Sequence, residues 1–334
     1  MTTELAIYKQ NRINELRRTY NYNVSLLNSA LTINIRKIQT SNNRNKTALI
    51  NALINKNNID IATLKKNLDL AIEKVNTFNP DFNINKNLVK RKKGLLIGIN
   101  YLTTKYQLNG CINDTNRIKE LLSSYGFNDL KILTDVTSVK PTKTNILNEL
   151  KNLIINANSG DILFFLFSGH GSWTYDKNGD ETDRRDECII SSDLQNILDD
   201  ELKTIIQTNM KDGVTLVGLF DSCHSGTILD LKYNYLDSSN YNNYFENDKV
   251  SECCGNVIMI SGCMDTQTSS DAFIENKYQA AMIWSFIDSI NKKPNCSWRE
   301  LLQNMRDLLK KKRFSQIPQL STDSFYNIDS KLFI

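Results

Sequence analysis

Only two histidines occur in the 334 residues, His170 and His224, and each closes an apolar run at a turn of small and polar residues. Asp161–Ser172 reads DILFFLFSGHGS, and Leu216–Thr227 reads LVGLFDSCHSGT, which also presents Cys223. A cysteine and a histidine so placed could carry out nucleophilic catalysis. Thiolate is the reactive form of cysteine, and a nearby imidazole can take its proton and later protonate a departing amine. Glycines beside these residues let the backbone turn sharply and leave amides facing a substrate. The N–H groups of Gly171 and Cys223 are the expected oxyanion donors, each worth about 3 kcal/mol of transition-state stabilisation. No third residue is evident, so His170 and Cys223 read as a dyad. His224 is a rival base, but its place next to the nucleophile points its side chain elsewhere. Cys188 and Cys263 read as buried, inert thiols, as do Cys253, Cys254 and Cys296. No Cys-x-x-Cys or His-x-x-x-His spacing suggests zinc, and no Walker loop or dinucleotide fingerprint suggests a nucleotide.

The elements that must position this pair are strands ending at one edge of a sheet. From Gly94 the pattern alternates. Gly94–Asn100, Leu130–Thr134, Ile162–Phe167, Cys188–Ser191, Val214–Phe220 and Val257–Ser261 read as strands. Asp114–Tyr125, Thr142–Ala157, Asp199–Thr208, Tyr278–Ile290 and Trp298–Lys311 read as helices. Such alternation predicts an α/β fold, a mostly parallel sheet covered by helices, with its site outside the carboxyl ends of the strands. Residues 1–78 read instead as interrupted helices, the clearest stripe being Leu64, Leu68, Ile72 and Val75. Asn42–Asn43 and Asn57–Asn58 are expected to break them, and Lys90–Lys93 to form a basic linker.

Charge divides the chain in the same place. Residues 1–93 hold 17 Lys and Arg against 6 Asp and Glu, and the remainder 24 against 31. The arm's charges are not interleaved with aromatics and match no known nucleic-acid module, so nucleic acid is not the expected partner. No apolar run is long enough to span a membrane, and the N-terminal residues lack the apolar core of a secretory signal. Seven cysteines, an odd number, then favour a reducing, cytoplasmic setting over a disulfide framework.

FSGHGS and FDSCHSG resemble the two catalytic motifs of type I metacaspases, members of the caspase-like cysteine peptidase clan. The resemblance runs from about Gly94 to the end. It includes YQLNGCIND (Tyr106–Asp114), NGDETDRRDECI (Asn178–Ile189), ISGCMDTQTSSDA (Ile260–Ala272) and QIPQLS (Gln316–Ser321). Caspases carry a QAC-type sequence about 50 residues after their His. This chain keeps that separation but has Asp-Ser-Cys, which favours metacaspases. The resemblance implies a caspase-like fold over 94–334, behind a basic, Asn-rich helical region at 1–93 in the place of a prodomain. It also implies cleavage of proteins or peptides after Arg or Lys, by a monomer.

In the resemblance the specificity pocket comprises Asp114, Asp221, Ser168 and Cys111. Two carboxylates in one pocket would attract a guanidinium and repel an aspartate. Asp114 could equally cap a helix. Calcium activation is implied as well, with Asp186, Asp199, Asp200 and Asp230 at the matching positions, and no organic cofactor. Ten carboxylates against three basic residues lie between Asp176 and Glu201, and oxygen-only ligands suit calcium. Ser192 stands where the family usually has proline. Self-cleavage is expected at Lys90–Lys93 or within Lys232–Lys249. Two other readings remain: a non-catalytic scaffold on the same fold, and a caspase-like or paracaspase-like peptidase without calcium.

Overall fold

The computed structural model describes residues 3–40, 45–77, 90–175, 185–222, 229, 231–235, 245–246, 255–262, 271–274, 277–323 and 328–332. The chain divides into two compact units, Met1–Leu88 and Val89–Ile334. In the first, α1 (Thr3–Thr40) and α2 (Lys46–Thr77) pack together. Half-buried residues recur every three or four positions, with Tyr20, Val24, Leu27, Leu31 and Ile38 on α1 and Leu53, Ile61, Leu64, Leu68 and Ile72 on α2. This is the seam of a helical hairpin. The break expected at Asn42–Asn43 falls on residues outside the described set. The one expected at Asn57–Asn58 does not occur. Asn57 is buried within α2, and its Nδ2 donates to Asn28 Oδ1 at 3.1 Å, so its side chain is satisfied inside a continuous helix. Among the described residues no helix is long and apolar enough to cross a membrane.

The second unit is built on an eight-stranded sheet. In chain order its elements begin with β1 (Lys92–Gly98), α3 (Cys111–Ser124), β2 (Asp129–Thr134), α4 (Lys143–Ile155), β3 (Ile162–Ser168), β4 (Gly171–Tyr175) and β5 (Arg185–Ile190). They continue with β6 (Asn196–Leu198), α5 (Asp199–Asn209), β7 (Thr215–Asp221), β8 (Tyr233–Tyr235), β9 (Phe245–Glu246) and β10 (Asn256–Ser261). Last come β11 (Asp271–Ile274), β12 (Lys277–Ala280), α6 (Ala281–Lys292), α7 (Trp298–Lys311) and β13 (Gln319–Thr322). The large sheet has the order β2-β1-β3-β7-β10-β13-β8-β9. Its first five strands are parallel and the last three antiparallel. Two small antiparallel sheets, β4-β5-β6 and β11-β12, lie outside it.

The inner parallel strands β1, β3, β7 and β10 carry unbroken apolar runs because each buries both faces. On β3, Leu163, Phe165 and Phe167 enter a layer with Ile146, Leu150 and Ile154 of α4 and Leu202 and Ile206 of α5. Phe164 and Leu166 enter the opposite layer with Ile118 and Leu122 of α3, Phe286 of α6 and Leu302 of α7. Each such large side chain contributes about 1.5–3 kcal/mol of burial. The helices start where their caps allow. Thr142 accepts from Asn145 N ahead of α4, and Ser297 and Glu300 form a reciprocal box ahead of α7.

Several boundaries differ from the sequence expectation: β5 begins at Arg185 rather than Cys188, Tyr278–Ala280 belong to β12 rather than to α6, and two more bear on the site. β1 begins at Lys92, so Lys92 and Lys93 lie in a central strand paired to both β2 and β3. Their charges escape sideways, Lys93 to Asp129 at 3.2 Å and Lys92 Nζ to Tyr125 O at 2.7 Å, while Arg91 pairs with Asp161. Lys92 and Lys93 are therefore not part of a free linker, and cleaving after either would require opening the sheet. α3 begins at Cys111 rather than Asp114, with Gly110 at its cap position and no side-chain cap. Asp114 thus lies inside the helix and does not cap it.

Candidate active site

β3 and β7 are parallel neighbours in a register that ends with Ser168 opposite Asp221. Gly169 N donates to Asp221 O at 3.3 Å, which carries the alignment one residue further. His170 follows Ser168 by two residues, and Cys223 follows Asp221 by two. Adjacent strands lie about 4.8 Å apart, so the two chain segments leave the sheet side by side. Cys223 itself lies outside the described residues, as do His224 and Asp230.

The His170 ring is held on two sides. Its Nε2 stands 2.8 Å from Tyr106 O, and its centroid lies 4.7 Å from that of the Tyr101 ring, the planes tilted by 38°. A carbonyl can only accept, so Nε2 carries the proton and Nδ1 presents the lone pair. Tyr106 O thus supplies the orienting group that no side chain in the sequence announced. The loop bearing both tyrosines is itself tied down. Asp135 accepts from Asn100 N at 2.6 Å and Leu102 N at 3.3 Å, and Asn100 Oδ1 accepts from Ile112 N at 3.2 Å. Tyr101 takes a φ of +50°, unusual for an aromatic residue and costing on the order of 1–3 kcal/mol.

The four residues matched to a specificity pocket gather on one face of the sheet. Phe167 and Phe220 point into the α4–α5 layer, so Ser168 and Asp221, next along each strand, face the α3 side. Gly98 of β1 is in register with Ser168, and a Cβ there would overlap Thr115 Oγ1 and stand 2.5 Å from Cys111 O. Cys111 therefore rests against the same row of the sheet. Asp114 lies one turn along α3, on the same helix face as Cys111. Asp114 is 0% exposed and Asp221 3%. Asp114 Oδ2 accepts from Ala280 N at 3.0 Å, at the start of α6, where the helix dipole favours a negative charge.

Of the residues matched to calcium, Asp186 is buried on β5 and Asp199 at the first turn of α5, beside Asp200. The β5–β6 register pairs Cys188 with Leu198, which brings these carboxylates to one corner of the small sheet. Burial and the charges of Asp199, Glu187 and Asp186 push the Cys188 thiol up to about 11. The thiol is inert for that reason. Cys296 is pushed up to about 11 as well, by burial and by Glu300. Among the described residues no group of three or more His, Cys, Asp and Glu side chains could hold a metal ion. The oxygen donors at this corner nonetheless have the chemistry calcium requires.

The fold is that of caspase-like peptidases, α/β with a mostly parallel sheet. It is shared with the crystal structure of a Geobacter sulfurreducens protein, at a TM-score of 0.54 and 22% identity over 71% of this chain and 95% of that one. The family model for the metacaspase, peptidase C14 domain, matches residues 92–232. Metacaspase-1 of Meyerozyma guilliermondii is 36% identical over 285 residues, 70% of this chain and 69% of the relative. Metacaspase-1A of Aspergillus terreus is 38% identical over 283 residues, 69% of this chain and 70% of the relative. The chain belongs to the metacaspases, in their type I class, and is a cysteine-type peptidase.

Proposed function

We propose that the protein is an endopeptidase that cleaves after Arg or Lys, with Cys223 as nucleophile and His170 as base. The observation that carries this reading is the shared register of β3 and β7, from which His170 and Cys223 each follow by two residues. Cys223 Sγ gives its proton to His170 Nδ1, and the thiolate attacks the scissile carbonyl. The N–H groups of Gly171 and Cys223 hold the developing oxyanion. His170 then protonates the leaving amine, and water releases the acyl-enzyme. Asp114 and Asp221 would hold the substrate's guanidinium or ammonium, with Ser168 and Cys111 lining the same pocket.

Calcium would be held by Asp186, Asp199, Asp200 and Asp230, where it would neutralise buried carboxylates and join β5 to α5. In this reading residues 1–93 act as a prodomain, and self-cleavage falls after Lys90 or within Lys232–Lys249, since β1 withdraws the bonds at Lys92 and Lys93. The enzyme works as a monomer in a reducing cytoplasm, consistent with thiols rather than disulfides at Cys188 and Cys296.

The test uses fluorogenic peptides ending in Arg, Lys or Asp, with calcium or a chelator, on the natural chain and Cys223→Ala. Cys223-dependent cleavage after Arg and Lys, stimulated by calcium, is expected. Cleavage after Asp alone would overturn the pocket, and indifference to calcium the metal site. Absence of any Cys223-dependent cleavage would leave a scaffold.

A further inference from the structure

β4 begins immediately after His170 and pairs antiparallel with β5, so the register places His170 opposite Ile190. Residues opposed at such a rung normally exchange two hydrogen bonds. Here only one is direct, from Ile190 N to His170 O at 3.0 Å. The other is occupied by a side chain. His170 N donates to Tyr101 Oη at 2.9 Å, and Tyr101 Oη donates onward to Ile190 O at 2.7 Å. The hydroxyl thus completes a closed ring of hydrogen bonds around the backbone of His170. The same residue stacks its aromatic ring on the imidazole.

Tyr101 is buried, at 1% exposed, and burial raises its phenol well above the usual value of 10.0, so the hydroxyl keeps the proton it donates. Its left-handed backbone conformation and the Asp135 anchor beside it both aim the side chain at this rung. A phenylalanine would fill the same space and stack the same ring but could bridge nothing.

We infer that Tyr101 is a positioning residue for the peptidase reaction: its hydroxyl fixes the His170 backbone, and with it the imidazole whose Nε2 meets Tyr106 O, so that Nδ1 points where a thiol proton must go. This rests on the reading of His170 as the base. The next pair, Gly171–Ile189, is then of the wide type, in which the Gly171 N–H points away from β5. One hydroxyl therefore sets the direction of both the imidazole and the amide beside it.

The chain's two histidines make a direct test possible. In His224→Gln, histidine-selective 15N labelling leaves one imidazole and one histidine amide, both of His170. We expect a single tautomer protonated at Nε2 and an amide that exchanges slowly with solvent. Tyr101→Phe should mix the tautomers and speed amide exchange. In chains retaining His224, counted by active-site titration, Tyr101→Phe should lower kcat about 10- to 100-fold, with KM unchanged and the pH profile of kcat shifted. Unchanged tautomer, exchange and kcat in Tyr101→Phe would overturn the inference. Should Tyr101→Phe fail to fold, rapid exchange of the His170 amide with Tyr101 intact would overturn it equally. The spectra judge Tyr101 whether or not Cys223-dependent cleavage is found.

Discussion

Replacing Gly98 with alanine should separate the packing of α3 from the rest of the fold. β1 cannot yield, because it is paired in register on both sides, with β2 and with β3. The new Cβ would overlap Thr115 Oγ1 and stand 2.5 Å from Cys111 O, a backbone atom. Carbon contacts relax at about 3.5 Å, so α3 must retreat by about 1 Å. Overpacking of this kind costs about 1–3 kcal/mol. The retreat also draws Asp114 away from Ala280 N, now at 3.0 Å, and a hydrogen bond to a charged group is worth about 1.5–3 kcal/mol. Together these give about 2.5–6 kcal/mol, and at about 2–4 °C per kcal/mol for a unit of this size a fall in Tm on the order of 5–24 °C. Calorimetry of Gly98→Ala, with Gly98→Ala/Thr115→Ala beside it, measures this. The double variant should recover less than half of the loss, because the Cys111 carbonyl remains. Peptidase activity should fall through KM, since Cys111 and Asp114 move with the helix. A Tm within about 1 °C of the natural chain would refute the close-packing argument.

Three further outcomes follow from local chemistry. Burial raises Asp161, but hydrogen bonds from Arg91 and Asn158 outweigh it and hold the carboxyl below its ordinary 3.8. The stability from a depressed carboxyl is present above the unfolded value and lost as pH falls through the folded one. Asp161→Asn should therefore be less stable than the natural chain at pH 7, and urea titrations should show that deficit shrinking below about pH 4. Ser192→Pro removes the N–H that donates to Pro141 O at 2.9 Å. It should cost about 0.5–1.5 kcal/mol in urea unfolding, and a gain in stability would contradict the assignment. Native Cys188 and Cys296, both pushed up to about 11, should escape iodoacetamide at pH 8 and react only after unfolding, as read by peptide mass mapping.

The parallel strands β1, β3, β7 and β10 were legible because burial on both faces writes an unbroken apolar run. β4, β6 and β11–β13 were not, since short antiparallel strands of three to five residues carry no such mark. Lys92 and Lys93 misled for the opposite reason. They are strand residues whose charges leave the sheet sideways to Asp129 and Tyr125. In the proposed site, residue type and position singled out His170, and the resemblance supplied Asp114 and Asp221, but the group that orients the imidazole is the backbone carbonyl of Tyr106, and any residue supplies one. Tyr101 escaped because its role depends on a single hydroxyl filling one rung between strands distant in sequence.

What the sequence did carry was the equal overhang beyond two strands, and that overhang has meaning only if the register is fixed. A slip of one residue would turn Ser168 or Asp221 to the other face of the sheet. The fixing contact lies on the α4–α5 side. Phe165 is in register with Gly218, and the Phe220 ring meets the Phe165 ring edge-on, with centroids 5.4 Å apart at 73°. A Cβ at Gly218 would stand 3.1 Å from the Phe220 ring, so the missing side chain is what lets that ring lie back toward β3. Buried aromatic pairs add about 0.5–1.5 kcal/mol beyond the area they cover, and a slipped register would forfeit the pair and its burial together. The apolar run before Cys223 therefore does more than reach the sheet edge. Gly218 and Phe220 lock it against β3, and the lock keeps Asp221 across from Ser168 where the two strands end.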